Sequence, residues 1–358
     1  MNDGNRIIAL YLPQFHPIPE NDDWWGKGFT EWRNVGKAQP LFRGHYQPRV
    51  PADLGYYDLR VSEVREAQAE MAEKYGIEGF CYWHYWFGNG KRLLERPFQE
   101  VLSSGTPDYP FCLAWANESW KGFFHGVNGR ETLIEQQYGS EDDYKEHFYS
   151  LLPAFKDPRY IRVDGKPLFM IYSPLALPDV QAFIGLWRRL ADENGISGIH
   201  FVAQTYSEEN INKLLKLGYD AVNIVRMFDY LNYRTLWGRF LTLFRHKYTG
   251  APRIVSYKEA KRNFVGKAEL NHNVYPTIIP NWDHTPRTGR NGLVFHNSTP
   301  DLFSEHLQDV KEVLEHKQEK DRIVFIKSWN EWAEGNYMEP DLKYGFAYLE
   351  KLRDYLEL

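Results

Sequence analysis

The feature that most constrains this sequence is a regular alternation of short runs rich in β-forming residues with longer amphipathic stretches. This alternation is typical of βα units wound around a parallel sheet. Eight candidate strands lie at residues 6–12, 79–83, 111–115, 168–172, 200–204, 221–224, 275–279 and 323–328. Helical patterns with apolar residues on one face lie between them, at residues 62–75, 142–154, 180–193, 211–217, 301–317 and 345–356. We therefore predict the α/β class and a single (β/α)8 TIM barrel, with residues 1–358 forming one catalytic domain.

The competing architecture is a doubly wound open sheet. That fold typically has a glycine-rich, phosphate-binding turn after an early strand, and the sequence has none. The barrel also predicts where chemistry lies, because functional sites on this fold collect at the carboxyl ends of the strands.

Two connections are longer than a barrel requires. Residues 13–54 are rich in aromatic residues, glycine and proline, and long loops of this kind are usually functional. Residues 226–273 interleave basic and aromatic side chains and predict a helical insertion after strand six. The favoured interpretation is that its aromatic stripe packs on the barrel while its charges are solvated. The alternative is a docking surface for an anionic partner, such as an acidic glycan, a diphosphate carrier or a membrane face.

Composition limits which classes of protein and which cellular locations fit this chain. The formal net charge of -5, from 43 basic and 48 acidic residues, argues against a nucleic-acid binder. Cys81 and Cys112 lie in apolar stretches and predict buried reduced thiols. No secretion signal and no apolar run long enough for a transmembrane segment is visible. The expectation is a cytoplasmic protein of unknown oligomeric state.

Two carboxylates follow the last predicted strand. Glu331 and Glu334 are three residues apart at the strand exit, which lets both face the barrel mouth. Glycoside chemistry generally needs two such groups, one protonated and one ionised. Crowding them among Trp329 and Trp332 raises the pKa of at least one through desolvation and like-charge repulsion. The sequence favours a catalytic pair over a structural ion-pair role.

Residues 330–335, Asn-Glu-Trp-Ala-Glu-Gly, resemble the Asn-Glu-Trp-x-Glu-Gly motif of the glycoside hydrolase family 99-like proteins, which include endo-α-mannosidases. The whole chain is more similar to the WbsX-type branch found with bacterial surface-polysaccharide biosynthesis. Further matches lie at residues 11–16, 28–32, 113–118 and 282–287. The likeness spans nearly the full chain.

The resemblance implies a (β/α)8 fold and a retaining mechanism that uses the 2-hydroxyl of the sugar in place of a protein nucleophile. Glu331 would deprotonate that hydroxyl as it attacks the anomeric carbon, giving a 1,2-anhydro sugar. Glu334 would protonate the departing oxygen and later activate water or another acceptor. This chemistry requires a 2-hydroxyl trans to the leaving group, as in α-mannosides. Ala333 stands where the endo-mannosidases usually have His, so the identity of the substrate does not carry over.

Other residues at the predicted strand ends suit an oligo- or polysaccharide substrate, because aromatic rings stack on sugar C–H faces and polar groups orient hydroxyls. The candidate substrate-binding residues are Tyr11, Gln14, His16, Trp32, His84, Trp115, Asn117, Glu118, Trp120, Gln204, Trp282, Asp283, Trp329 and Asn330. Arg287 is interpreted as holding Asp283 in place, with binding of an acidic sugar group as the alternative. His16, His84 and Glu118 are residue types that can bind a metal. The sequence has no paired ligand motif such as His-Glu-x-x-His, so neither a metal nor a cofactor is predicted.

Three functions fit these observations, in decreasing order of preference. The first is a metal-independent glycoside hydrolase or transglycosylase, acting on manno-configured or stereochemically similar glycosides. The second is a glycosyltransferase of surface-polysaccharide assembly that uses the same pocket, which the basic segment 226–273 favours. The third is a catalytically silent glycan-binding barrel.

Overall fold

A parallel barrel lies at the centre of the computed structural model, which describes residues 4–122, 131–233, 247–248 and 250–356. Its strands are β1 (Arg6–Tyr11), β2 (Gly79–Trp86), β3 (Phe111–Trp115), β4 (Lys166–Ile171), β5 (His200–Thr205), β6 (Ala221–Ile224), β7 (Val274–Tyr275 and Thr277–Ile278) and β8 (Ile323–Ile326). Each strand pairs in parallel with the next, and β8 pairs with β1. The predicted (β/α)8 barrel is confirmed.

Strand β7 consists of two short segments because Pro276 interrupts it. Proline has no amide hydrogen to donate to a neighbouring strand. The segment before Pro276 pairs with β6, and the segment after it pairs with β8. The carbonyl of Pro276 accepts a bond from the Phe325 amide at 3.1 Å, so the barrel closes across the interruption.

Helices cover the outside of the barrel. Among the described residues, six helices have nine or more residues: Ser62–Lys74, Arg96–Ser104, Glu141–Lys156, Val180–Glu193, Pro300–Glu315 and Ala347–Leu356. The helix Ile211–Lys216 has six residues. The six helices predicted from amphipathic patterns are present with ends within two residues of expectation. Short α-helices lie at Pro19–Trp25, Glu31–Gly36, Tyr230–Tyr233, Tyr257–Ala260 and Thr285–Thr288. Turns of 3-10 helix lie at Glu208–Asn210, Lys261–Asn263, Lys267–Leu270, Gly289–Asn291, Glu319–Asp321 and Trp332–Glu334.

The helix Val180–Glu193 shows how sequence sets these elements. It begins after Asp179, whose side chain accepts a bond from the Ala182 amide at 2.9 Å. Phe183 and Trp187 recur on one face and are fully buried against the barrel. The strands themselves are buried on both faces, which explains why they are continuous apolar runs in the sequence. Cys81 and Cys112 are buried free thiols.

Several short antiparallel or parallel strand pairs lie at the edge of the barrel or outside it. Arg92–Leu93 pairs with β2 and Arg162–Val163 with β4. Outside the barrel, Arg253–Ser256 pairs with Leu293–His296, Trp120–Lys121 with Thr132–Ile134, and Asn330–Glu331 with Asn336–Tyr337. Across the described ranges, no helix is both long enough and apolar enough to cross a bilayer.

The segment 226–273 contains short helices together with the strand Arg253–Ser256, which its helical pattern did not predict. Tyr257 and Phe264 are buried in a second apolar cluster that also includes Phe295 of the following connection. Residues 234–246 and 249, with three of the basic side chains that suggested a docking surface, lie outside the described residues.

Arg226, the first residue of this segment, is buried in ion pairs. Its guanidinium contacts Glu269 at 2.6 Å, Glu208 at 2.5 Å and Asp229 at 2.8 Å. Glu269 is itself fully buried, so the arginine joins the carboxyl end of β6 to the chain just before β7.

We expect Arg226→Met to lower the free energy of unfolding by about 3 kcal/mol, because it leaves the buried Glu269 carboxylate without its cation. Urea unfolding measures the change. The matched control is Arg262→Met, which removes an exposed arginine of the same segment and is expected to change stability by less than about 0.5 kcal/mol. Equal stabilities of the two variants would contradict this role for Arg226.

Candidate active site

The two predicted carboxylates lie in a tight hairpin that follows β8. The strands Asn330–Glu331 and Asn336–Tyr337 are antiparallel, and the 3-10 turn Trp332–Glu334 joins them. Gly335 has a φ of 54°, and a Cβ there would lie 2.7 Å from the Cβ of Asp283. Only glycine fits this close approach, which fixes the turn directly after Glu334. Both carboxylates line one cavity of about 370 Å³.

Arg287 joins the two carboxylates. Its Nη2 lies 3.0 Å from Glu331 and its Nη1 lies 2.5 Å from Glu334. Its Nε lies 3.2 Å from a third carboxylate, Glu31, whose side chain is fully buried at the start of the helix Glu31–Gly36. One guanidinium therefore bridges three acids from two distant parts of the chain. It does so without covering the pair, which still lines the cavity.

This geometry corrects the interpretation of Arg287 as the partner of Asp283. Asp283 is instead held by His45 and Gln47, each with a nitrogen 2.7 Å from its Oδ2. Its other oxygen accepts bonds from the amide and the hydroxyl of Thr285. The interpretation failed because the partners of Asp283 come from the first long connection, some 240 residues earlier in the chain.

The surroundings shift the pKa values of Glu331 and Glu334 in opposite directions. Burial, and next the negative charge of Glu334, raise the pKa of Glu331 to about 8. Burial also acts to raise the pKa of Glu334, but the charges of Arg287 and His284 outweigh it and hold the pKa below its usual value. His284 Nε2 lies 3.7 Å from Glu334. At neutral pH the pair therefore carries one proton, on Glu331.

The cavity brings together six of the predicted site residues: Gln14, Glu118, Trp120, Trp282, Glu331 and Glu334. Trp282 is held flat against His284, with an interplanar angle of 4°. In the part of the chain that the structure describes, the Gln14 amide nitrogen and the Trp282 indole nitrogen have no hydrogen-bond partner. Two donors without partners and an aromatic ring thus belong to side chains of the wall beside the carboxylate pair.

Three predicted residues on the barrel strands point away from the cavity, toward the outer helices. The Tyr11 hydroxyl donates to Gln68 at 2.7 Å. His84 bonds to His147 at 2.8 Å, and the Trp115 indole donates to the Trp86 carbonyl at 2.9 Å. Side chains alternate between the two faces of a strand, so the cavity-facing residues are their neighbours. Those neighbours are Leu12, Trp83, Tyr85 and Ala116.

The remaining predicted residues do not line the cavity, and all of them are buried except Trp32, which is half-buried. Asn117 bonds to Tyr138 and Ser173, Gln204 to Asn223, Asn330 to both backbone groups of Leu12, and the Trp32 indole to the Tyr57 carbonyl. Trp329 packs on Phe80 with ring centroids 5.3 Å apart. His16 and Asp283 are also buried outside the lining.

Several lining residues were not predicted. They are Leu12, Trp83, Tyr85, Ala116, Ser119, Tyr172, Tyr206, Met227, Phe228, His284 and Lys327, together with Arg287 in its observed role. Strand alternation is the sequence signal for Trp83 and Tyr85, provided that the inward register is known. The described residues contain no group of three or more His, Cys, Asp or Glu side chains that is able to hold a metal ion.

Solved structures share this barrel. A protein described as glycoside hydrolase-like superposes with a TM-score of 0.61 at 16% identity, covering 100% of this chain and 95% of its own. The GH99 endo-alpha-mannosidase from Bacteroides thetaiotaomicron superposes with a TM-score of 0.58 at 16% identity, covering 99% of this chain and 97% of its own. At such low identity the likeness establishes the fold alone.

The chain belongs to the WbsX family, because the family model described as "Glycosyltransferase WbsX" matches residues 7–352. It is 37% identical over 353 residues to the uncharacterized protein WxcX of Xanthomonas campestris pathovar campestris. That alignment covers 98% of this chain and 49% of WxcX. A WxcX of a second strain matches equally. The chain therefore spans about half the length of the curated relatives it matches.

We expect Arg287→Met to lower the free energy of unfolding by about 3 kcal/mol at pH 7.5, because three carboxylates then share a site with one cation fewer. The pKa of Glu334 in the folded protein lies below its ordinary 4.5, so its ion pair stabilises the fold above that pH. This contribution disappears as the pH falls through the folded-state pKa, and the loss caused by Arg287→Met should shrink accordingly.

Urea unfolding of both proteins at several pH values between 4 and 7.5 checks this expectation. Arg290→Met is the control, because Arg290 is an exposed residue of the same connection. A loss that is independent of pH would contradict the proposed electrostatic origin.

Proposed function

We propose that the chain is a glycan-active enzyme in which Glu331 and Glu334 act as an acid–base pair on a glycosidic bond. One observation carries the proposal: both carboxylates contact the same guanidinium and line the same cavity. Burial there raises the pKa of Glu331, while Arg287 and His284 lower that of Glu334, so one acid is favoured in its protonated form and the other in its ionised form. Acid–base work on a glycoside needs this combination of one protonated and one ionised acid. The membership in the WbsX family supports an enzyme acting on glycans.

The lining of the cavity supports a sugar ligand. Trp120 and Trp282 offer faces for stacking, and Tyr172 and Tyr206 add phenolic hydroxyls. Polar groups such as Gln14 are interspersed among them, as the hydroxyl-edged apolar faces of a sugar require. Met227 and Phe228, at the start of segment 226–273, also line the cavity. We propose on this basis that the segment belongs to the same catalytic unit.

The proposed reaction is a retaining substitution through a 1,2-anhydro sugar. Glu331 removes the proton of the 2-hydroxyl, whose oxygen attacks the anomeric carbon, while Glu334 delivers a proton to the departing glycosidic oxygen. An acceptor then opens the three-membered ring, giving its proton to Glu334 as the sugar oxygen recovers one from Glu331. The pair ends with the charge it began with. The 2-hydroxyl must be trans to the leaving group, as in manno-configured α-glycosides.

These roles require the resting proton to move. In the unliganded site Glu331 holds the proton, whereas the mechanism starts with Glu331 ionised and Glu334 protonated. A hydrogen bond donated by the 2-hydroxyl favours the ionised form of Glu331 and so lowers its pKa. Binding of the sugar would therefore transfer the single proton to Glu334.

A second candidate is glycosyl transfer, with a sugar hydroxyl instead of water opening the intermediate. The family description, which names a glycosyltransferase, favours this candidate. The carboxylate pair serves either outcome. Incubation with activated sugars separates them, because a hydrolase releases free sugar and a transferase yields glycoside only when an acceptor is present.

We expect Glu331→Gln and Glu334→Gln each to lower kcat on a cleavable α-glycoside by about 100-fold or more, since each removes one half of the acid–base pair. A panel of oligosaccharide α-glycosides, whose leaving groups need protonation, provides substrates for this comparison. Glu312→Gln, on the exposed surface of the helix Pro300–Glu315, should leave the rate unchanged. Near wild-type turnover by either active-site variant would refute the assignment.

The two variants should differ in their response to the leaving group. A nitrophenolate departs without protonation, so Glu334→Gln should recover activity on nitrophenyl glycosides relative to oligosaccharides. Glu331→Gln should lose both activities, because the 2-hydroxyl still has to be deprotonated. Recovery by Glu331→Gln instead would reverse the two roles.

The pH dependence of kcat/KM should be bell-shaped, because this parameter reports ionisations of the free enzyme. On the alkaline side it should fall near pH 8, where Glu331 loses the shared proton. On the acid side it should fall below pH 4.5, where Glu334 becomes protonated. A profile that stays flat between pH 4 and 9 would exclude a shared-proton pair.

A further inference from the structure

Lys327 lies directly after β8 and lines the cavity beside the carboxylate pair. Its amide donates to the Ile278 carbonyl at 2.8 Å, which fixes the backbone at the carboxyl ends of β7 and β8. The residue is only 6% exposed. Lys327 is therefore a buried cation whose position is set by the barrel itself.

Within the described ranges, the ammonium of Lys327 makes no ion pair and no hydrogen bond. It lies 5.9 Å from the centroid of the Trp282 ring, and its charge acts without direct contact on Glu331 and Glu334. Two other buried lysines among the described residues are bonded directly: Lys317 donates to the Val274 carbonyl at 2.6 Å, and Lys261 contacts Glu305 at 2.9 Å. Leaving a buried cation without a directly bonded partner costs free energy, so this difference indicates a function in the cavity.

The charges around Lys327 restrict what it can bind. With Glu331 protonated, two carboxylates (Glu31 and Glu334) face two cations (Arg287 and Lys327), and Glu118 adds a further carboxylate to the cavity wall. Arg287 is already bonded to three acids, whereas Lys327 has donors to spare. A ligand with a single negative charge can pair with Lys327, but a diphosphate would bring excess charge close to Glu334.

We propose that Lys327 is a specificity-determining residue that binds the carboxylate of an acidic sugar, a uronic acid, in the ring next to Glu331 and Glu334. The inference rests on the proposed function and names its substrate class. Trp282 supports it, because its ring lies beside both the ammonium and the cavity and so offers a stacking face to the same sugar.

Matched ligand pairs test the proposal by binding alone. The probes are the methyl glycosides of α-manno, β-gluco and β-galacto configuration, in all of which the 2-hydroxyl is trans to the anomeric oxygen. Each is compared with its own uronate, in which the 6-hydroxymethyl group is replaced by a carboxylate. Ligand-observed NMR measures Kd for each pair. A charge-assisted bond should make at least one uronate bind about tenfold more tightly than its neutral partner. This preference should weaken as salt is added.

Variants of Lys327 identify the source of the preference. Lys327→Met should abolish it while the neutral glycoside keeps its Kd within about twofold, and Lys327→Arg should retain part of it. The control is Lys320→Met, which removes an exposed lysine at the opposite end of β8. Thermal unfolding of each variant confirms that the fold is intact.

The outcomes separate this inference from the proposed function. Binding of a neutral glycoside without any gain for its uronate overturns the role of Lys327 and leaves the proposed function standing. A uronate preference that survives in Lys327→Met, or tighter binding of pyrophosphate than of any uronate, also overturns it. Failure of every sugar to bind contradicts the proposed function itself, and the inference falls with it.

Discussion

The active-site end of the barrel depends on one guanidinium placed among three carboxylates. Glu331 and Glu334 are two acids in a mostly buried hairpin, and Glu31 adds a third that is fully buried. Without Arg287 their repulsion and desolvation would oppose the close approach of the segments that carry them. With Arg287 in place, the first long connection, the chain after β7 and the hairpin after β8 are held together. The cavity exists because these three segments meet at one cation.

The hairpin motif makes sense once each residue is assigned to its contacts. Asn330 bonds to both backbone groups of Leu12 and so ties the hairpin to β1. The Trp332 indole donates to Glu339, a buried acid that also accepts bonds from Gln68 and Tyr57. Alternate positions of the motif thus face the protein, while Glu331 and Glu334 face the cavity. The tryptophans that suggested a sugar platform here serve mainly to bury and orient the acids.

The sequence was sufficient for the architecture and for the acid pair. Strand and helix periodicities depend on local patterns, and these located the barrel strands, including the position of the interrupted β7. The helix Arg96–Ser104 and the strand Arg253–Ser256 were not predicted from such patterns. The spacing of Glu331 and Glu334 after β8 is also a local pattern.

The sequence did not show which side chains at the strand ends face the cavity, because a shift by one residue exchanges the two faces of a strand. His84 and Trp115 were chosen where the cavity has Trp83, Tyr85 and Ala116. Pairings across the chain, such as Arg287 with Glu31 or Asp283 with His45, depend on the closed tertiary fold and leave no trace in local spacing.

In the proposed mechanism, the carboxylate pair handles the proton transfers, and the rest of the cavity determines which acceptor molecule can bind. Opening a 1,2-anhydro ring requires a base near the incoming oxygen and a proton for the sugar oxygen, whether that incoming oxygen belongs to water or to another sugar. Under the proposed function the same two carboxylates would meet both needs, so hydrolysis and transfer would differ only in which acceptor reaches Glu334. We propose that this choice is made by the cavity wall, to which Tyr206, Met227 and Phe228 contribute after β5 and β6. Because the wall and the pair come from different connections of the barrel, the acceptor could change while the proposed chemistry at Glu331 and Glu334 stayed the same.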